Sequence, residues 1–282
     1  MPKHSLLRLT KSLYNTPLLA DKKTFESVLS YLNSRNAGLL DFSDQDTSPK
    51  PALEVSNGIG VITIRGPLTY RTTGWEAACG GFSYEMLVEQ ADEMISEGAR
   101  TIVLDIDSGG GEAYAAFEST DELRRMCDVS GTKLYSYADG HACSAAYAIA
   151  CSADEVICNP FSEVGSIGVL IALLNDSQHL KQEGFERVFI TDGTEKIPFN
   201  KDGSFRDEFI KDLENRVAEL GDAFRAHVSK YTGLSEKTIK NTQAKVYSAK
   251  AALDLGLVNK IMTRSEFVEY VMKKHKGLSN AR

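Results

Sequence analysis

Residues 101–113 read TIVLDIDSGGGEA, and this stretch decides the fold class. Its first part, 101-TIVLDID-107, is a nearly continuous apolar run of the kind found in strands buried on both faces. The run stops at Ser108-Gly109-Gly110-Gly111, and a helical pattern follows over 112–127. A buried strand feeding a helix is the repeating unit of a parallel sheet with crossovers. Outward from it the same grammar continues. The β-branched 60-GVITIRG-66 and the helical 83-SYEMLVEQADEMISEG-98 precede it, and 133-KLYSYAD-139 reads as the next strand. Further along come a short helix from Ser144, strand-like 155-EVICNP-160, apolar 166-SIGVLIALL-174, a helix near 176–183 and strand-like 186-ERVFIT-191. Residues 205–231 read as one long helix with Phe209, Leu213, Val217, Leu220 and Phe224 on a single stripe. An Ala-rich helix capped by Gly256 and a short strand complete the pattern within 245–261.

The 282 residues, 42% hydrophobic and 25% charged, suit a globular chain able to bury a sizeable core without disulfides or metal. With 32 Lys and Arg against 39 Asp and Glu the net charge is −7, which argues against nucleic-acid binding by bulk charge. The five cysteines, Cys79, Cys127, Cys143, Cys151 and Cys158, form no C-x-x-C pair, so neither a disulfide framework nor a zinc site is expected. No cofactor or metal is expected either. The N-terminus MPKHSLLRLTKSLYN lacks the apolar core of a signal peptide, and no run approaches the roughly 18 apolar residues of a membrane span. A cytoplasmic protein without a membrane anchor is the expectation. Residues 1–55 read as an N-terminal extension and linker, with a breaker at Asn15-Thr16-Pro17, a helical pattern near 23–34 and the polar stretch DFSDQDTSPKP. Such a charge-rich preface is usually solvated, with a partner-binding arm as the alternative.

Two places could carry chemistry. The glycine turn 107-DSGGG-111 lies at a strand end, where backbone N–H groups can approach a ligand closely. It could cradle phosphate or form an oxyanion hole, but the companion motifs of phosphate loops are absent. The second place is 140-GHACSAAYAIA-150, where Ser144 starts a helix among small residues. A serine there is ordinarily an N-cap. Small neighbours also suit a nucleophile that must admit an acyl group, with the Ala145 N–H beside it to hold an oxyanion. None of the five histidines sits in a setting that marks a base, although His141 is close in sequence to Ser144. A desolvated lysine is the alternative, and Lys196 has Ile197, Pro198 and Phe199 to supply apolar walls.

In order, the motifs GVITIRGPL, IVLDIDSGGGEA, ADGHACSAAYAIACSADEVICNPFSEVGSIGVL, TDGTEKIPF and VYSAKAALDLGLVNKI resemble the signal peptide peptidase A family of serine peptidases over about residues 58–263. The resemblance implies an α/β, Clp protease/crotonase-like fold of repeated β-β-α units with a C-terminal helical segment. Its peptidase domain would span 56–263 and a helical tail 264–282. It places the nucleophile on Ser144, the base on Lys196 with Lys201 as the nearby competitor, and the oxyanion hole on Gly110, Gly111 and Ala145. Gly109 stands where relatives commonly have proline. The preface SLYNTPLLADKKTFESVLSYL is similar to that of the phage and prophage branch, the head maturation proteases. The implied function is a serine endopeptidase acting on scaffold and capsid proteins as a homo-oligomer, in the host cytoplasm or within a procapsid. The alternatives are a cellular signal-peptide or quality-control peptidase of the same family, an inactive capsid assembly protein, or an acyl-CoA enzyme of the crotonase type.

Overall fold

The computed structural model describes residues 16–26, 55–71 and 81–280. The strands are β1 (Leu18–Ala20), β2 (Val55–Ser56), β3 (Ile59–Arg65), β4 (Leu68–Thr69), β5 (Phe82–Ser83), β6 (Thr101–Ser108), β7 (Gly110–Glu112), β8 (Lys133–Cys143), β9 (Glu155–Cys158), β10 (Glu163–Gly165), β11 (Val246–Ser248) and β12 (Lys260–Ile261). The helices are α1 (Tyr84–Ser96), α2 (Ala116–Ser130), α3 (Ala145–Ala150), α4 (Ser177–Gln182), α5 (Asp207–Thr232), α6 (Glu236–Asn241), α7 (Ala249–Leu255) and α8 (Arg264–Asn280).

The apolar run of β6 lies in the middle of the larger sheet, between β3 and β8, and is parallel to both. The sheet runs β2-β3-β6-β8 and then divides along β8. Tyr135–Ala138 pair with β9, which carries β12, while His141–Cys143 pair with β10, which carries β11. Short strands form the smaller sheet, in the order β1-β7-β4-β5. The chain therefore repeats a β-β-α unit, as β3–β4–α1, with the short β5 leading into α1, and again as β6–β7–α2, in agreement with the fold class expected from the sequence.

Alternation along the strands assigns their side chains to two faces. Ile102, Leu104, Leu134 and Val156 face α1, α2 and α3 through Leu87, Met94, Leu123, Cys127 and Tyr147. Val103, Tyr135, Tyr137 and Ile157 face α8 through Phe267 and Val271. The helix read as a C-terminal tail is thus the cover of one sheet face, as a parallel sheet requires. Arg264 fixes its start by pairing with Asp105 at 2.7 Å and Asp139 at 2.6 Å.

The apolar stretch 166–174 contributes isolated bridge residues at Leu170, which bonds to Leu18, and Ala172, and the strand expected at 186–191 is absent, these residues being irregular and exposed. Val188 and Ile190 are 69% and 96% exposed, and among the described residues no strand pairs with this segment to complete a ladder. Residues 22–26 are helical; the rest of the helix expected near 23–34 lies outside the described residues. Leu18 and Leu19 are buried, so this part of the preface is packed into the body and not solvated.

The long helix divides in its packing. Phe224, His227 and Val228 are buried, whereas Phe209, Leu213, Val217 and Leu220 are half-covered. His227 Nε2–H donates to the Ala148 carbonyl at 3.1 Å and so clamps α5 onto α3. Burial pushes the His227 pKa below its ordinary value. The fold therefore favours the neutral ring, and its contribution is complete above the unfolded value of about 6.5 and is lost as pH falls through the lower folded value. Thermal melts between neutral and mildly acidic pH should show the melting temperature falling with pH. The fall should be shallower in His227→Gln, whose amide keeps a donor; equal slopes would show that His227 does not carry the effect.

Candidate active site

The site forms where the end of β8 meets the glycine turn between β6 and β7. Pairing with β10 carries β8 as far as Cys143, and the Ser144 N–H then donates to the Gly165 carbonyl at 2.8 Å. At Ser144 the backbone turns sharply into α3 with φ 56° and ψ −121°, a strained conformation for a residue with a Cβ. Its side chain makes no capping bond to α3, so the N-cap reading does not describe it. The Ser144 Oγ is buried without a hydrogen-bond partner among the described residues. A buried hydroxyl left unsatisfied is costly, and such groups mark places kept for chemistry or for a ligand.

The glycine turn closes over this hydroxyl. Ser108 Oγ accepts from the Gly110 N–H at 3.1 Å and donates to the Gly66 carbonyl at 2.6 Å, which sets the shape of the turn. Gly110 has φ 96°, and a Cβ there would lie 2.9 Å from Ser144 Cβ, 3.0 Å from the Ala145 nitrogen and 2.1 Å from the Leu19 carbonyl oxygen. At Gly111 a Cβ would lie 1.9 Å from the Leu68 carbonyl oxygen. Only glycine permits these approaches. Gly110, Gly111, Ser144 and Ala145 are therefore brought together.

The lysines are not. Lys196 ends the short 3₁₀ turn Thr194–Lys196 and is exposed, as is Lys201. Neither hydrogen-bonds to Ser144, whose hydroxyl has no partner among the described residues. The loop that carries them is ordered by Arg206, which pairs with Glu195 at 2.9 Å, and by stacking of Phe199 on Phe205 at 4.9 Å between centroids.

His141, His227 and His275 are engaged elsewhere. His141 contacts Asp107 through Nδ1 at 3.1 Å and Glu163 through Nε2 at 3.2 Å, so both of its nitrogens face carboxylates. Lys23, bonded to Glu163 at 2.7 Å, and then His141 hold the Glu163 carboxyl below its usual range. His275 bonds to Thr101 Oγ1 at 2.9 Å, and His227 serves the α5–α3 contact. Burial pushes the thiols of Cys127 and Cys158 up to about 11, and those of Cys143 and Cys151 upward as well. Cys143, adjacent to Ser144, is thereby a poor thiolate and behaves as a small apolar residue. Among the described residues no group of His, Cys, Asp or Glu side chains converges to hold a metal.

Sequence reasoning missed two contributors. Ser108 was hidden as part of the glycine turn that it shapes. The segment Pro17–Asp21 read as part of an extension, yet it runs along the turn: the Ala113 N–H donates to the Pro17 carbonyl at 3.2 Å and the Asp21 N–H to the Gly109 carbonyl at 2.8 Å. Its signals were present as a proline before the apolar pair Leu18-Leu19 and as Asp21, which caps the next turn by accepting from the Thr24 N–H at 2.7 Å.

The family model of peptidase family S49 matches residues 128–279, a span that includes both Ser144 and Lys196. The chain is 29% identical over 232 residues to the capsid assembly protease C of Escherichia phage lambda, covering 81% of this chain and 52% of that protein. It is 28% identical over 221 residues to the head-tail preconnector protein GP5 of Enterobacteria phage P21, covering 78% and 44%. It thus spans about half the length of these relatives. Among solved structures, a ClpP1 mutant from Listeria monocytogenes aligns with a TM-score of 0.45 and 15% identity over 72% of this chain and 91% of that one.

Proposed function

The chain belongs to peptidase family S49, and on that premise we propose that it is a serine endopeptidase with Ser144 as nucleophile and Lys196 as base. The observation that carries this reading is the buried, unpartnered Ser144 hydroxyl on a strained turn, with the Ala145 nitrogen and the glycine turn beside it. The Ser144 Oγ attacks the substrate carbonyl while the amine of Lys196 takes its proton and later passes it to the leaving nitrogen. Because Ser108 engages the Gly110 N–H, Gly111 and Ala145 are the donors that receive the oxyanion, with Gly110 shaping the turn.

Lys196 reaches Ser144 on assembly. Its loop displays Val188 and Ile190, and the half-covered stripe of α5 continues that apolar surface. A second copy of this chain covering both is the homo-oligomer expected from the sequence. The substrates are protein segments bound as added strands, and the names of the two phage relatives point to scaffold and capsid proteins of a phage head. The protein would then act in the host cytoplasm or within a procapsid. Among the described residues no helix is long and apolar enough to cross a membrane.

The test is co-expression with phage capsid and scaffold proteins, with light scattering on the purified chain. The expected result is shortened head proteins and an oligomer. Full-length head proteins in assembled particles would overturn the maturation role, and a monomer at every working concentration would overturn assembly of the dyad between copies.

A further inference from the structure

Two backbone edges border Ser144, and Pro17–Asp21 occupies both. On one side the segment forms β1 against β7, with Leu18 opposite Glu112, Leu19 opposite Gly111 and Ala20 opposite Gly110. On the other, Leu18 and Leu170 exchange N–H to carbonyl bonds of 2.9 and 3.0 Å. A strand seated between two edges is the way an extended substrate binds by β-addition.

The register singles out one peptide bond. Hydrogen-bonded and non-bonded pairs alternate along an antiparallel ladder. Since Pro17 bonds to Ala113 and Asp21 to Gly109, the bonded pair between them is Leu19 with Gly111, and the Leu19 carbonyl receives the Gly111 N–H. That same oxygen converges with Ser144 Cβ and the Ala145 nitrogen on the space a Gly110 Cβ would fill. It is therefore directed at the nucleophile and at both proposed oxyanion donors. Upstream of the bond, Leu18 and Leu19 are 5% and 0% exposed. Downstream, the small Ala20 is followed by Asp21, which caps the helical turn 22–26, and by Lys23, which is tied to Glu163.

Resting on the peptidase reading above, we propose that Pro17–Asp21 is the enzyme's own first substrate, held in the cleft in cutting register and cleaved between Leu19 and Ala20. The Ser144 Oγ bonds to the Leu19 carbonyl carbon as its proton passes to the Lys196 amine. The bond from that carbon to the Ala20 nitrogen then breaks, and the proton goes to this nitrogen, which becomes a new α-amine. Water next adds to the acyl carbon, giving a proton to Lys196; the ester to Ser144 breaks, the proton returns to Oγ, and the Leu19 carboxylate leaves. Until this happens the tethered strand excludes other substrates, because an intramolecular competitor acts at an effective concentration on the order of millimolar. Cleavage frees the Pro17–Leu19 side and opens the cleft.

The test uses the full chain, freshly purified as wild type, Ser144→Ala and Leu18→Pro. Intact mass is followed over time, alongside hydrolysis of a fluorogenic peptide carrying residues 16–23. The wild type should yield a chain beginning at Ala20, Ser144→Ala should stay intact, and peptide hydrolysis should begin after a lag that matches the processing. Leu18→Pro removes the N–H given to Leu170, so it should process itself at least about tenfold more slowly and cut the peptide without the lag. A wild-type chain that remains intact, or is cut at another bond, while the peptide is hydrolysed at once overturns this proposal and leaves the peptidase reading standing. If neither chain nor peptide is cut, the peptidase reading fails and this inference fails with it.

Discussion

Ser144→Ala is expected to lower peptide hydrolysis by roughly 10⁴-fold or more, because the covalent route through the acyl-enzyme disappears with the hydroxyl. Its fold should be unaffected. An N-cap serine replaced by alanine loses about 0.5–2 kcal/mol, but Ser144 makes no capping bond and its Oγ has no partner to leave stranded. Removing an unsatisfied buried hydroxyl is close to neutral or slightly stabilising, and alanine meets the same backbone strain at φ 56° as serine does. The check is hydrolysis by purified Ser144→Ala beside its melting temperature. Retained hydrolysis would remove Ser144 from the mechanism, and a melting temperature several degrees lower would restore the capping role.

Lys196→Arg should be as inactive as Lys196→Ala, while Lys201→Ala and His141→Ala should keep most activity. Arginine preserves the charge but does not surrender a proton in proteins, so the pair of substitutions at 196 separates a base from a mere cation. The exposure of Lys196 in the single chain makes the test clean, since surface substitutions usually change stability by no more than about 0.5 kcal/mol. His141 is held by Asp107 and Glu163 through its two ring nitrogens, so its loss disturbs that contact and not the Ser144 hydroxyl. A lysine base also predicts activity that climbs into the alkaline range, whereas a histidine base would give a limb centred near 6.5. An active Lys196→Arg enzyme, or a folded but inactive His141→Ala enzyme, would overturn the assignment.

What could be read from the sequence was written locally. The apolar run of β6, the period of α1 and α5, the Gly256 cap and the clustering of small residues around Ser144 each lie within one stretch of chain, where side-chain periodicity and glycine content dictate the backbone. Those stretches by themselves carried the α/β class and left Ser144 open between a helix cap and a nucleophile, while the β-β-α unit and the choice of nucleophile rested on the resemblance carried by the ordered motifs. The strand-like texture of 186–191 misled for the complementary reason: β-branched and apolar content describes what a strand tolerates, and only a partner strand makes one. Tertiary structure alone decided that Leu18–Ala20 pairs with β7 and Leu170, that α8 covers a sheet face, that Ser108 engages the Gly110 N–H, and that Lys196 stands apart from Ser144. Each of these depends on the register between distant segments, which is set by how the whole sheet twists and packs, and no local window of sequence contains it.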